Sequence, residues 1–332
     1  MLEHGGNLRH AAQQYGIPLE SWLDLSTGIN PNHYPIPDIL SRVWQRLPEG
    51  EDGLIEAACA YYDCQSLLPT SGSQAAIQVL PRLRPVCHIA MPRQMYQEHA
   101  HAWRSHGHTL TLFDETPNAE ILAKVDVMLI CNPNNPTGKR FSKKQLLTWH
   151  KLLASHHGWL IVDEAFMDTT PNDSIAHHTD LAGLLVLRSL GKFFGLAGTR
   201  VGFLLAQQHI LTKAQEALGP WSLTGPSRLI ATQALNDHTW QVNARKTLST
   251  NSLKLKKLLR QYRLTPCGGT HLFQFVLSEQ ASTIHQSLAK QGIWVRLFKE
   301  TAALRFGLPF NNDWDKLEQA LKKLVNDSQS LL

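Results

Sequence analysis

From about residue 73 to residue 206 the chain alternates short apolar runs with longer stretches whose apolar residues recur at helical spacing. The runs at 86–91, 109–113, 125–130, 159–163, 184–187 and 201–205 read as strands, with amphipathic helices between them. This alternation predicts an α/β fold built on a mostly parallel central sheet with helices on both faces. Residues 75–83 predict a helix, and Gly225-Pro226 opens a long helical region to about Arg263. Beyond it, 272–277, 293–296 and 304–307 predict a second sheet, with helices near 280–291 and 312–327, together a small α+β lobe. The expected organisation is an N-terminal arm (1–35) that joins the small lobe or an interface, a large domain (36–225) and a small C-terminal domain (226–332).

Four segments at the ends of these runs carry candidate chemistry. The run at 184–187 leads into Arg188-Ser-Leu-Gly-Lys-Phe-Phe-Gly-Leu-Ala-Gly-Thr-Arg200. A lysine at a strand end among small and apolar residues is desolvated, which lowers its pKa and lets the neutral amine form an imine with an aldehyde. Ser189 and Arg200 flank Lys192 and offer a hydroxyl and a guanidinium to one phosphate. A nucleotide P-loop is excluded, because Gly183 lies too far upstream and Phe193, not Ser or Thr, follows the lysine. The run ending in Asp163 delivers a carboxylate to the crevice side of the sheet, where it pairs with a pyridinium nitrogen or caps a helix. Ile130-Cys-Asn-Pro-Asn-Asn-Pro-Thr-Gly138 makes a rigid turn that presents the Asn135 amide to a ring hydroxyl. Thr70-Ser-Gly-Ser-Gln74 opens a helix and reads either as a phosphate seat or as an ordinary cap. Imine lysine and phosphate clamp together are the minimum equipment for pyridoxal phosphate.

The order of these segments resembles the pyridoxal-phosphate enzymes of the aspartate-aminotransferase fold (fold type I), over nearly the whole chain. The resemblance implies that Lys192 carries the cofactor, Asp163 pairs with its ring nitrogen and Asn135 bonds its ring hydroxyl. It further implies that Gly72, Ser73, Gln74, Ser189 and Arg200 hold the phosphate and that Tyr96 stacks on the ring. Within that family, His4-Gly-Gly-Asn-Leu-Arg9, Leu23-Asp-Leu-Ser-Thr-Gly-Ile-Asn-Pro31, Asp163-Glu-Ala-Phe-Met-Asp168 and Gly219-Pro-Trp-Ser-Leu-Thr-Gly-Pro226 resemble the threonine-phosphate decarboxylase branch of cobalamin biosynthesis. The implied reaction is decarboxylation of a phosphorylated amino acid, the alternative being an aminotransferase of the histidinol-phosphate type. The resemblance assigns Arg305 to the substrate carboxylate and Arg296 to the substrate phosphate. His4, Gly28 and Asn30 close the site from the N-terminal side. The sequence departs from the pattern at Phe166, where aminotransferases of this fold have Tyr. It departs also at Leu47-Pro48, where an aromatic reaching the partner subunit's phosphate is expected, and at Gly28, where related decarboxylases have Asn.

Composition narrows the setting. The chain has 332 residues, enough for two lobes, and 43% hydrophobic content. No apolar run approaches the ~20 residues of a membrane span. The amino-terminal residues show no basic start or apolar core, so no signal peptide is expected. Five cysteines without a Cys-x-x-Cys pair point to reduced thiols and a cytoplasmic setting, and the resemblance implies a homodimer acting on a small phosphorylated amino-acid substrate. Net charge is +5, and the basic stretch 254–263 carries leucines at helical spacing, so nucleic acid is not an expected partner. Seventeen histidines invite a metal reading, but His99 and His101, like His106 and His108, are two apart within an expected helix and face different ways, so no metal is expected.

Overall fold

The computed structural model describes residues 4–114 and 116–329. The chain forms two compact units: a large one, His33–Asn135 with Lys139–Val242, and a small one, Met1–Asn32, Pro136–Gly138 and Asn243–Leu332.

The large unit is built on seven strands: β1 (Leu67–Ser71), β2 (His88–Pro92), β3 (Thr109–Phe113), β4 (Val127–Cys131), β5 (Trp159–Asp163), β6 (Leu184–Ser189) and β7 (Val201–Leu205). They lie in the order β1-β7-β6-β5-β4-β2-β3. All neighbours are parallel except β7, which runs antiparallel to both β1 and β6. β4, β6 and β7 are buried along their whole length, as continuous apolar strands covered on both faces should be. Ile89, Leu129, Ile161, Leu187 and Leu204 form one core with Ile77, Trp103 and Ile210 from the covering helices.

Details of this sheet differ from the sequence expectation. β2 begins at His88, and Val86 is exposed. β1 was not anticipated. Its Pro69 cannot donate to a ladder, which confines such a strand to a sheet edge, and β1 is an edge strand.

The small unit holds a four-stranded antiparallel sheet, β8 (Gly268–Thr270), β9 (Phe273–Leu277), β10 (Arg296–Phe298) and β11 (Ala303–Gly307), in the order β10-β11-β9-β8. Helices Ala281–Ala289 and Trp314–Gln329 belong to the same unit. Leu23–Asp24 pairs in parallel with Ile293–Trp294, and the Leu25 carbonyl accepts from the Gly307 amide at 2.7 Å. The N-terminal segment is fastened further by Trp294 Nε1, which donates to Gly6 O at 2.9 Å, and by Gly6 N, which donates to Ser26 Oγ at 2.7 Å. Among the described residues, no helix is long and apolar enough to cross a membrane.

Candidate active site

The carboxyl ends of three adjacent parallel strands set the chemistry of the large unit. Cys131, Asp163 and Ser189 are the last residues of β4, β5 and β6, and Cys131 and Asp163 are register partners. Asp163 is buried. Its Oδ2 lies 2.8 Å from His99 Nε2, and its Oδ1 accepts from Ala165 N at 3.0 Å. Each carboxylate oxygen has more than one acceptor site, so a cationic ring N–H can still be met. His99 stands one turn into helix Gln97–Ser105, whose first cap is Tyr96, and the two rings meet edge to face at 6.1 Å. Burial and the neighbouring charge of Glu98 push the Tyr96 phenol up to about 12. Its hydroxyl reaches Gln74 Oε1 at 3.3 Å, and Gln74 Nε2 donates to Glu98 at 2.7 Å.

His99 was not among the residues expected at the site. Its only sequence signal is a position three residues after Tyr96, which places both on one side of the helix. His99, Cys131 and Asp163 also bring three possible metal ligands within 4.8 Å of one another.

Lys192 follows β6 in a half-buried turn, with its Nζ 5.4 Å from the centre of the buried Phe166 ring. Ser189 Oγ accepts from Gly191 N at 3.3 Å, tightening this turn. Arg200 lies in the left-handed region (φ 55) and aims its guanidinium at the backbone of Gly72 (φ 72). A Cβ at Gly72 would lie 2.6 Å from an Arg200 nitrogen, and a Cβ at Gly202 would lie 2.3 Å from Ser73 N. Gly202 is therefore needed for the close approach of β7 to the 72–73 backbone, and Gly72 for its positive φ. Gly72, Ser73, Ser189 and Arg200 belong to the ends of β1, β6 and β7, three neighbouring strands. A backbone cradle, a hydroxyl and a guanidinium fit an anionic phosphate, and the buried Asp163 fits a ring cation.

The turn bearing Asn135 is braced from inside. Asn132 Nδ2 donates to Phe141 O at 3.1 Å, Phe141 N donates to Asn132 Oδ1 at 2.9 Å, and Asn134 Nδ2 donates to Gln94 O at 2.9 Å. The Asn132–Pro133 peptide is cis.

These features coincide with a known family. A family model described as "Aminotransferase class I and II" matches residues 48–324. The chain belongs to the class I and II aminotransferase family. It is 48% identical to a threonine-phosphate decarboxylase of Pseudomonas aeruginosa over 97% of both chains. It is 37% identical to one from a Sinorhizobium species, covering 92% of this chain and 93% of that one. Its fold matches the crystal structure of histidinol-phosphate aminotransferase from Sinorhizobium meliloti in complex with pyridoxal-5'-phosphate (TM-score 0.82, 17% identity, 97% and 95% of the two chains). The α/β architecture expected from the strand pattern is thus that of fold type I.

The remaining expected residues lie in the small unit. Arg305 is buried at the centre of β11 and is the register partner of Arg296 on β10, so both side chains rise from one face. Arg305 donates to Ser26 O at 2.5 Å and packs over Phe273, while Arg296 donates to His4 O at 3.4 Å and packs over Phe298. Gly28 adopts φ 64, and buried Asn30 accepts from Asn32 N at 2.9 Å.

Proposed function

We propose that the chain decarboxylates L-threonine O-3-phosphate to (R)-1-amino-2-propanol phosphate, with pyridoxal 5'-phosphate as cofactor, in cobalamin biosynthesis. The observation that carries this reading is the likeness to the Pseudomonas aeruginosa threonine-phosphate decarboxylase, which runs through 97% of both chains. The geometry agrees with it. Lys192 supplies the amine that holds the cofactor aldehyde, and Gly72, Ser73, Gln74, Ser189 and Arg200 supply the phosphate seat. Asp163, oriented by His99, supplies the counter-charge for the ring nitrogen, Asn135 a bond to the ring hydroxyl and Tyr96 an aromatic face. When bound, the cofactor takes up the electron pair left on Cα as a bond to it breaks.

The protein's part is to choose that bond and manage the proton. Arg305 grips the substrate carboxylate and Arg296 its phosphate, so binding energy is spent on orientation. The carboxylate leaves as carbon dioxide, and one proton replaces it on Cα. Lys192 is the group assigned to deliver that proton. His4, Gly28 and Asn30 are assigned to closing over the substrate.

The working form is proposed to be a cytoplasmic homodimer. All five cysteines are free thiols. Ile36, Leu40, Trp44, Leu47 and Trp221 of the large unit leave large apolar side chains exposed, as a subunit interface would. The test of the activity is direct. Purified protein given threonine phosphate should release carbon dioxide and the amino-alcohol phosphate. Release of a keto acid, with conversion of the cofactor to its amine form, would make it an aminotransferase instead.

A further inference from the structure

Behind the cofactor side of β5 and β6 lies a second set of charges. Along a strand successive side chains point to opposite faces, so Glu164 faces away from Asp163, and Arg188 faces away from Ser189. Glu164 N donates to Leu187 O at 2.9 Å, which continues the β5–β6 ladder and sets Glu164 beside Arg188. Arg188 is fully buried, as are Glu164 and Asp168. One arm of its guanidinium donates to Glu164 Oε2 at 2.6 Å, the other to Asp168 Oδ1, and its face covers the Tyr62 ring at 4.4 Å. Glu164 Oε1 accepts from Ile175 N at 2.9 Å, and Ser174 Oγ lies 3.2 Å from the same arm of Arg188. Burial alone would weaken the charge on Arg188, but Asp168 and Glu164 outweigh it and hold the guanidinium's pKa above its ordinary value.

We infer that Arg188 is a positioning residue for the cofactor. By clamping Glu164 and Asp168 it fixes the spacing of three groups on the other face: the Asp163 carboxylate, the Phe166 ring beneath Lys192, and Ser189. Asp163 and Phe166 lie between or beside the two clamped carboxylates in sequence, and Ser189 is the next residue after the clamp. A buried ion triad is a poor device for stability alone, since apolar replacements of similar volume are often no worse. Its fork geometry, by contrast, defines one arrangement of two strand ends and the short 3₁₀ turn Met167–Thr169. A misplacement of about 1 Å at reacting groups can cost on the order of 10²-fold.

The inference rests on pyridoxal phosphate being held at Lys192, and its test separates the two. Wild type, Arg188→Lys and Asp168→Asn are each prepared with and without cofactor. Three quantities are read: the pyridoxal phosphate Kd, the pH midpoint of the bound cofactor's absorbance, and the melting temperature with and without cofactor. Leu153→Ala, a cavity in the same unit at a buried helix position beside Gly158, at the end of β5 opposite Asp163, serves as the purely structural control. We expect Kd to rise roughly tenfold to a hundredfold and the absorbance midpoint to move in both charge variants. In Leu153→Ala only the melting temperature should fall. Wild-type Kd and midpoint in the charge variants, or losses matched by Leu153→Ala, overturn the inference. If Arg188→Lys does not fold, Asp168→Asn, which keeps the Arg188–Glu164 pair whole, decides by the same readings. A wild type that binds no pyridoxal phosphate at Lys192 would instead refute the cofactor assignment.

Discussion

Buried charge is handled differently in the two units. At the carboxyl ends of β5 and β6 it is answered locally: His99 meets Asp163, and Arg188 is shared by Glu164 and Asp168. In the four-stranded sheet the register sets the half-buried Arg296 directly opposite the buried Arg305, which donates to the Ser26 carbonyl. Like charges opposite one another across an antiparallel pair are destabilising. Under the proposed function, a doubly anionic substrate bound between them would relieve that repulsion. Under the proposed function the first region serves a group held continuously, the second one bound in each turnover. Substitutions in the first should therefore alter the cofactor, and substitutions in the second should alter only the substrate.

The largest expected effect is at Lys192. Lys192→Ala should lower turnover by at least ~10²–10⁴-fold, the range of a positioned acid or base. Borohydride treatment of the wild type should attach the cofactor to Lys192, which peptide mapping can check; attachment at another lysine would dismantle the assignment of the whole first region. Next comes the buried pair. Asp163→Ala should weaken cofactor retention by ~10²-fold or more, from the ~3–5 kcal/mol lost when one partner of a buried pair is removed. His99→Ala should cost less, about 1.5–3 kcal/mol or roughly ten- to a hundredfold. Equal retention in all three proteins, measured by dialysis and absorbance, would show that this carboxylate faces no cofactor.

The arginines sharpen the contrast. Arg305→Ala and Arg296→Ala should each reduce kcat/KM by roughly ten- to over a hundredfold, because a charge-assisted contact contributes about 1.5–3 kcal/mol. Both should leave the cofactor's absorbance and Kd at wild-type values. Arg296→Ala should also narrow the preference for threonine phosphate over threonine. A cofactor spectrum that changes with either arginine breaks the proposed division of labour. The smallest effect concerns Tyr96. Its phenol is raised from 10.0 to about 12, so the folded protein keeps a proton there that the unfolded chain releases. The associated stability is present in full below pH 10 and declines as pH rises through about 12. Ultraviolet difference titration of the apoprotein should lose one phenol's ionisation near pH 12 in Tyr96→Phe, and no change there would remove the burial argument.

Much of this was legible in the chain because the signals are local. Apolar runs ending in Asp163 or leading to Lys192 mark buried strands and the residues at their mouths. β1 was hidden because Pro69 interrupts it and Thr70-Ser71 read as the opening of a helix, and the antiparallel edge of the finished sheet accommodates them. His99 was hidden for a different reason: its partner is 64 residues away, so nothing near it in sequence distinguishes it from its helical neighbours. Arg188 and Glu164 sat inside the quoted motifs, yet their pairing depends on the β5–β6 register. The surplus of histidines, opaque in the sequence, is partly structural. His106 and His108 both lie beyond the helix they were expected to share, which ends at Ser105, and the His108 ring bridges Pro81 O at 2.9 Å and Cys87 N at 3.1 Å. His150 and His156 similarly reach the carbonyls of Ala182 and Val125.

The small unit is stitched from three separated pieces of chain, and this gives its assembly a timetable. Leu23–Asp24 leaves the ribosome early, but its ladder partner Ile293–Trp294 follows roughly 270 residues later, at about 5–20 residues per second. Trp22, Leu23 and Leu25 thus wait on the order of 15–50 s for the segment that pairs with them. The large unit has all of its strands by residue 205, well before that moment. Through that interval Trp22, Leu23 and Leu25 are apolar side chains whose cover has not yet been made.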